Sequence, residues 1–415
     1  MKYRSILVAT LAIILLPLWL MAQNLYIKGG TIITVTKGTI KGGAILIKKG
    51  KIAAVGRNVK CPPGVKVIDA KGKYIIPGII DAHSHMALDG DINEATNPVT
   101  AEVRMRDAID FDNPVILQAL GGGVAAAKLM HGSANVIGGL NVVVKLKWGK
   151  PPEEWFIPDA HKQLKMAYGE NPKRVYGSRG QMPSTRMGNA YALRNAMIQA
   201  KEYMRKWAEY EKAKKEGKDA KKPKRDLRLE TLADLLRGKY TVDFHCYRAD
   251  GIANLLSIAD EFGFRVEVLS HALEGYKIPD IIKSHNASVS TFADGWGYKM
   301  EAFDGIPYMV PLLFRYGVNV LVSSDSDNTI RRLYIEASKA MKYGDLTPDE
   351  ALRLITINPA KALGLDHRMG SIEVGKDGDI AIFDRHPMDT FTKCVMTIIE
   401  GEVYFDINKY ASSPK

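Results

Sequence analysis

Cysteine is scarce in this chain: Cys61, Cys246 and Cys394 are the only three among 415 residues. Three scattered thiols build no disulfide framework, even in an exported protein. Cys246, next to His245, reads as a packing residue and not as a catalytic thiol. The chain has no internal repeat, which excludes solenoid architectures. Outside one charged segment it has no low-complexity stretch. Its basic residues are not interleaved with aromatics and it carries no nucleic-acid module, so a polynucleotide partner is excluded. Charged residues are 25% and hydrophobic residues 46%, which excludes a disordered chain and suffices for one large core plus a smaller domain.

One long apolar run is present, and it stands at the start. Lys2 and Arg4 precede an almost wholly apolar stretch from Ser5 to Leu20, and Ala22 is a small residue suited to cleavage. Residues 1–22 therefore read as a secretory signal, predicting export to the periplasm or beyond. The alternative is an uncleaved membrane anchor, since the run is near spanning length and Leu20 is a poor −3 residue. Net charge is +12, and residues 201–240 hold 14 lysines and arginines against 8 acids. That basic insertion, at about 201–238, reads as a solvated surface segment; the sharper reading is weak contact with an anionic membrane surface or acidic partner.

The most informative stretch is Asp81-Ala82-His83-Ser84-His85, directly after the apolar run Ile75-Ile76-Pro77-Gly78-Ile79-Ile80. A short β-branched run reads as a buried strand. Alternate residues of a strand share a face, so His83 and His85 project together from its C-terminal end. Two imidazoles so placed can grip one divalent metal.

Further along, Tyr240–His245, Phe264–His271, Ala287–Asp294 and Val318–Asp325 are strand-like and alternate with helical stretches such as Ile252–Phe262. Three of these strands end on His245, His271 and Asp325. A β/α alternation favours a parallel sheet or barrel, and barrel chemistry gathers at the C-terminal strand ends. Both chain ends differ from the middle. Residues 24–72 hold short strands separated by Gly29-Gly30, Gly42-Gly43 and Gly50. Residues 367–415 return to strands at 372–374, 379–383, 395–399 and 403–405. The sequence predicts a small β-sandwich built from both ends, flanking an α/β unit over 73–366. Thr347-Pro348-Asp349-Glu350 predicts a helix start with a capping box, and Asn358-Pro359 an interruption of that helix.

The run from Pro77 to His85, the strand-end His245 and His271, Ser323-Ser324-Asp325, and the tail Asn358-Pro359-Ala360-Lys361 with Gly370–Asp379 together resemble the metal-dependent amidohydrolase superfamily. The resemblance covers about residues 24–406. It is strongest to the imidazolonepropionase-like and prolidase-like group, through segments 132–139, 165–174 and 183–188. It implies a distorted (β/α)8 barrel with a β-sandwich, one or two divalent metals, most often zinc, and hydrolysis of a C–N bond.

On that resemblance, His83, His85 and Asp325 hold one metal, and His245 and His271 a second. A two-metal site needs a bridging ligand. Lys165, carboxylated, is the first choice, Glu170 the second and Lys145 the third; with no bridge, the site is mononuclear, as in a deaminase of the same fold. A bound divalent metal lowers the pKa of its water from 15.7 to about 7. Asp325 then takes the proton and passes it to the leaving nitrogen. His131, after the strand-like stretch 124–130, is the extra histidine for polarising a carbonyl. Arg186 and Arg248 are candidates to clamp a substrate carboxylate, and Tyr298 and Lys299 lie on a loop after a strand. The expected substrate is a small amide, a dipeptide or a cyclic amide. Oligomeric state is left open, a homo-oligomer being one arrangement.

Overall fold

The apolar run at 75–80 does not form one strand. Pro77 has no N–H to offer a sheet. A side chain on Gly78 would come within 2.5 Å of the Ala125 methyl, and the Gly78 N–H turns to donate to Asp379 O at 2.8 Å. The chain passes there from one sheet to another: Tyr74–Pro77 ends the first, and Ile79–Ser84 begins the second. A computed structural model gives this architecture, describing residues 24–411. The expected signal over residues 1–22 lies outside the described residues. No helix among the described residues is long and apolar enough to cross a membrane.

The fold is α/β, with three sheets. Both chain ends join in one eight-stranded sheet. Its order is Glu402–Asp406, Cys394–Ile399, Ile380–Phe383, Tyr74–Pro77, Leu25–Ile33, Thr39–Lys48 and Lys51–Gly56, with Lys66–Asp69 also on Leu25–Ile33. Alternation buries Leu25, Ile27, Ile45, Ile47, Ile380 and Ile382 in a core of its own. The strand expected at 372–374 is absent: the Ile372 N–H donates sideways to Thr34 O and the chain turns at Gly375, with φ 93°.

The middle supplies the other two sheets. Gln163–Ala167, Thr241–Cys246, Val266–His271, Ser288–Thr291 and Val320–Val322 pair in parallel, with Ile137–Leu140 antiparallel at one edge. Ile79–Ser84 pairs in parallel with Val124–Leu129, which also takes Val142–Lys145. The Asp325 N–H donates to His83 O at 3.0 Å, so the last strand of the larger sheet is tied to the first of the smaller. These strands are buried almost throughout, as expected where helices cover a parallel sheet. Helices Ala249–Phe262, Pro279–Ser284 and Met309–Tyr316 fall between strands, as the β/α alternation predicts.

The predicted capping box forms: the Thr347 hydroxyl accepts from the Glu350 N–H while the Glu350 carboxylate accepts from Thr347 N–H. The expected interruption falls just before Asn358-Pro359: helix Pro348–Arg353 stops, and Pro359 sits in the first turn of a second piece, Ile357–Ala362, where a missing N–H costs little. The basic segment is a helical excursion: Arg186–Lys215 runs out and Leu227–Leu236 packs back against it through Tyr203, Leu232 and Leu235.

Candidate active site

Strand alternation puts Asp81, His83 and His85 on one face of the chain leaving Ile79–Ser84. The same rule puts Asp243 and His245 on one face of Thr241–Cys246. His271 ends its strand with φ 71° and Asp325 follows its strand with φ 48°, left-handed conformations that L side chains avoid. Such strain persists where the surroundings enforce it, and it collects at functional sites. Here it coincides with convergence. His83 Nε2 and His85 Nε2 each lie 3.1 Å from the same atom, Asp325 Oδ1. Ring centroids are 4.9 Å apart for His83 and His271, and 4.6 Å for His245 and His271. Ligand atoms of His83, His271 and Asp325 fall within 4.8 Å of one another.

The hydrogen bonds fix which nitrogens face inward. His85 Nδ1 is 2.8 Å from Met130 O, and a carbonyl only accepts, so the proton sits on Nδ1. Ser270 Oγ donates to Asp243 Oδ1 at 2.6 Å, which leaves it to accept from His83 Nδ1 at 3.0 Å. In the neutral rings both Nε2 atoms then carry a lone pair, and both point at a carboxylate oxygen. Acceptors facing acceptors at this distance call for a cation among them. Burial, with the Lys165 charge, lowers His83 to about 4, and burial holds His245 and His271 well below the usual histidine value. Burial would raise Asp325, but His83 above all outweighs it and keeps the carboxylate ionised. Neutral imidazoles and an anionic oxygen are the donor set of a divalent metal centre, and outward N–H groups anchored on a carbonyl or hydroxyl are its usual support. His245 Nδ1 is buried without a hydrogen-bond partner, and its Nε2 lies 3.3 Å from Asn171 Nδ2.

Beneath the histidines lies a charge network. The fully buried Lys128 Nζ donates to Asp243 Oδ2 at 2.5 Å and Gln163 Oε1 at 2.7 Å, and Lys165 Nζ lies 3.6 Å from Asp243 Oδ1. Two cations hold Asp243, Asp243 holds Ser270, and Ser270 sets the tautomer of His83. On the other side Asp81 accepts from the Ser324 hydroxyl and N–H, fixing the backbone next to Asp325. Ser270→Ala is expected to weaken divalent-metal binding about 10–100-fold, the usual effect of losing such a support. Chelator competition measures it; unchanged affinity would show that the tautomer is set by something else.

The sequence profile of the Amidohydrolase family matches residues 239–404. An amidohydrolase of solved structure from Thermotoga maritima superimposes with TM-score 0.86 at 37% identity, covering 92% of this chain and 100% of that one. This chain belongs to the amidohydrolase family. Amidohydrolase tasK of Hapsidospora irregularis is 30% identical over 406 residues, 90% of this chain; the chain spans only 41% of the length of that protein. Imidazolonepropionase of Shewanella frigidimarina is 25% identical over 389 residues, covering 84% of this chain and 87% of the relative. Members of the family are hydrolases acting on C–N bonds, metal-dependent as a class, and this chain is one of them.

Within this amidohydrolase the structure sorts the residues expected from sequence. His83, His85, His245, His271 and Asp325 meet. Of the three bridging candidates, Lys165 is buried close enough for its charge to bear on His83, His245, His271 and Asp325. Glu170 does not reach the cluster: its carboxylate accepts from the Glu301 N–H at 3.2 Å and lies 3.6 Å from Lys299 Nζ. Lys145 is bound elsewhere, to Asp377, Asp379 and Glu400. His131 has no N–H left for a carbonyl, because Nε2 accepts from the Glu94 N–H at 3.0 Å and Nδ1 donates to Gly132 O at 2.9 Å. Arg186 and Arg248 both pair with Asp250 outside the pocket. Tyr298 does line it.

That pocket has a volume of about 630 Å³ and opens over His83, His85, His245, His271 and Asp325. Tyr247, Phe292 and Tyr298 form an aromatic wall: Phe292 stacks on His271 at 4.8 Å and Tyr298 meets Tyr247 edge-on at 6.2 Å. Sequence reasoning missed Lys128, Asp243, Ser270 and Ser324. A signal existed for two of them. A lysine in the small apolar strand 124–129, and an aspartate two residues before His245, are charges where only a buried partner makes sense.

Proposed function

We propose that this chain is an exported amidohydrolase that uses one or two divalent cations, zinc foremost, to hydrolyse the C–N bond of a small amide such as a dipeptide or cyclic amide. The reading rests on one observation: the Nε2 lone pairs of His83 and His85 converge on Asp325 Oδ1 at 3.1 Å. A divalent cation there supplies an activated water at neutral pH and polarises the carbonyl under attack. His83, His85 and Asp325 hold it, with His271 beside them. His245 and His271 would hold a second cation, and Lys165, now a cation against Asp243, would become an anionic ligand for it if carboxylated. Asp325, open to the pocket on one side, takes the proton from the attacking water and delivers it to the leaving nitrogen. The aromatic wall excludes water and holds the apolar part of the substrate.

In the same reading the parallel strands make a distorted (β/α)8 barrel over residues 73–366, with the site at its C-terminal end. The eight-stranded sheet, formed by residues 24–72 and 367–415 together with Tyr74–Pro77, is a separate small domain. Residues 1–22 direct export, which the N-terminal residue of the mature protein tests: a chain starting at Met1 in the native host is the contrary result.

Zinc-loaded full-length chain, assayed against dipeptides and cyclic amides, is expected to hydrolyse at least one class. Activity should vanish with 1,10-phenanthroline and return with zinc. Hydrolysis undiminished in metal-free protein, or none across the panel, contradicts the proposal. The compact trio of His83, His271 and Asp325 favours one alternative, a mononuclear deaminase. Ammonia release with about one metal per chain identifies it; about two metals with amine release identifies the hydrolase.

A further inference from the structure

Two cations stand over the mouth of the pocket, on segments far apart in the chain. Arg174 extends from helix Glu170–Gly177, and Lys299 comes from the loop that precedes the 3-10 turn Met300–Ala302; both line the pocket that holds the histidines. Lys299 is held firmly. Its Nζ donates to Asn171 Oδ1 at 3.1 Å, lies 3.6 Å from Glu170, and sits 4.7 Å above the Tyr247 ring and 5.4 Å from that of Tyr298. Asn171 in turn reaches back, its Nδ2 lying 3.3 Å from His245 Nε2 and 2.7 Å from Ser133 Oγ. One hydrogen-bonded side chain therefore separates Lys299 from the histidine cluster.

Arg174 differs from its neighbour. Among the described residues no carboxylate lies within 4.0 Å of its guanidinium, although the pocket also presents Asp294 and Glu336. Those two acids are taken: Lys339 Nζ binds Asp294 at 2.9 Å and Glu336 at 2.7 Å. Arg174 is also close enough to Lys299 for its charge to oppose protonation there. Burial acts first in that direction, and Glu170 acts against it. Arg174 is exposed and unpaired, and an anion entering the pocket that it lines with Lys299 would meet both charges.

We infer that Arg174 and Lys299 form a carboxylate subsite, so that the substrate is a small amide bearing a free carboxylate about one residue's length from the bond cleaved, its apolar side against Tyr247, Phe292 and Tyr298. The inference rests on the proposed hydrolytic reading for the position of the cleaved bond, but not for the anion site itself. Guanidinium and carboxylate match in shape, giving two parallel hydrogen bonds that an ammonium cannot reproduce. The subsite replaces the clamp that the sequence suggested at Arg186 and Arg248, both of which already pair with Asp250 outside the pocket.

The test separates the subsite from the chemistry. Calorimetry on zinc-loaded full-length protein compares 3-phenylpropanoate with 3-phenylpropanamide, which share a ring and differ in charge. The acid is expected to bind at least tenfold more tightly, and the preference should weaken with added salt. R174Q should reduce the preference to within about twofold, R174K should keep part of it, and R186Q should leave it intact. If the acid is bound through the metal instead, R174Q retains the full preference, and the inference is overturned. Equal binding of acid and amide to the natural chain overturns it too. In turnover, dipeptides with a free C-terminus should outrun their C-terminal amides. A chain that binds the acid selectively yet cleaves no amide keeps the subsite and refutes the hydrolytic reading.

Discussion

Asp325→Asn is expected to lower turnover by about 10²–10⁴-fold, the range for removal of a group that carries protons in the transition state. The substitution keeps the shape of the side chain and one oxygen, so the bound metal should survive on His83, His85 and His271. What disappears is the ionised carboxylate that the three imidazoles favour at this position. Its N–H anchorage to His83 O is a backbone bond and is untouched. The expected result is a folded, metal-containing, nearly inactive protein, checked by metal content and kcat on one preparation. Full activity in this variant would mean that another group moves the proton. Loss of metal with loss of activity would mean that Asp325 acts chiefly as a ligand.

Lys145→Met should cost about 3–5 kcal/mol of stability, the range for breaking a buried ion pair by removing one partner. The Lys145 ammonium is 2% exposed and pairs with Asp377, Asp379 and Glu400 at 2.6, 2.9 and 2.9 Å, alongside Lys51 and Arg368 on Asp377 and Lys147 on Glu400. Burial opposes its charge, but the three carboxylates outweigh burial and hold it above the usual lysine value. The strand Val142–Lys145 is thereby fastened to the end of the eight-stranded sheet. The sign with pH follows. Burial raises Asp377 and Glu400, yet Lys145, with Lys51 and Arg368 at Asp377 and Lys147 at Glu400, outweighs it and both lie below their unfolded values, whereas at Asp379 burial wins and the value is raised. The contribution of Asp377 and Glu400 is present above their unfolded values and is lost as pH falls through the folded ones. The gap between natural chain and variant should therefore narrow below about pH 4, where the carboxylates protonate. Urea unfolding at pH 7 and pH 3.5 measures both. The variant's kcat, per folded molecule, should be unchanged, because the cluster is remote from the pocket. A gap that widens in acid contradicts this account.

The residues of the histidine–aspartate cluster were legible because strand periodicity and strand ends are local properties. His83 and His85 share a face by spacing alone, and His245, His271 and Asp325 each close an apolar run. The strands at the two chain ends were legible for the same reason, from short β-branched segments; that they join in one eight-stranded sheet, where a β-sandwich was expected, was not. The residues misassigned from sequence all turn on where a charge finds its partner, which is not local. Arg186 and Arg248 lie 62 positions apart and meet at Asp250; Lys145 meets carboxylates more than 230 positions away. His131 looked available until Glu94 N–H was found on its Nε2. Pro77-Gly78 marked a break inside one apolar run, and the steric reason for it, Ala125, comes from another strand. Arg174 was passed over because an arginine on a short helix is ordinary; only the pocket around it makes it unusual.

Anomalous X-ray diffraction at the zinc edge, from crystals of the full-length chain grown with zinc, tests the central claim most directly. The account predicts a peak about 2.0–2.2 Å from His83 Nε2, His85 Nε2 and an Asp325 oxygen. A second peak near His245 and His271 would identify the two-metal form. Zinc bound elsewhere, or no peak among these side chains at saturating zinc, would contradict it.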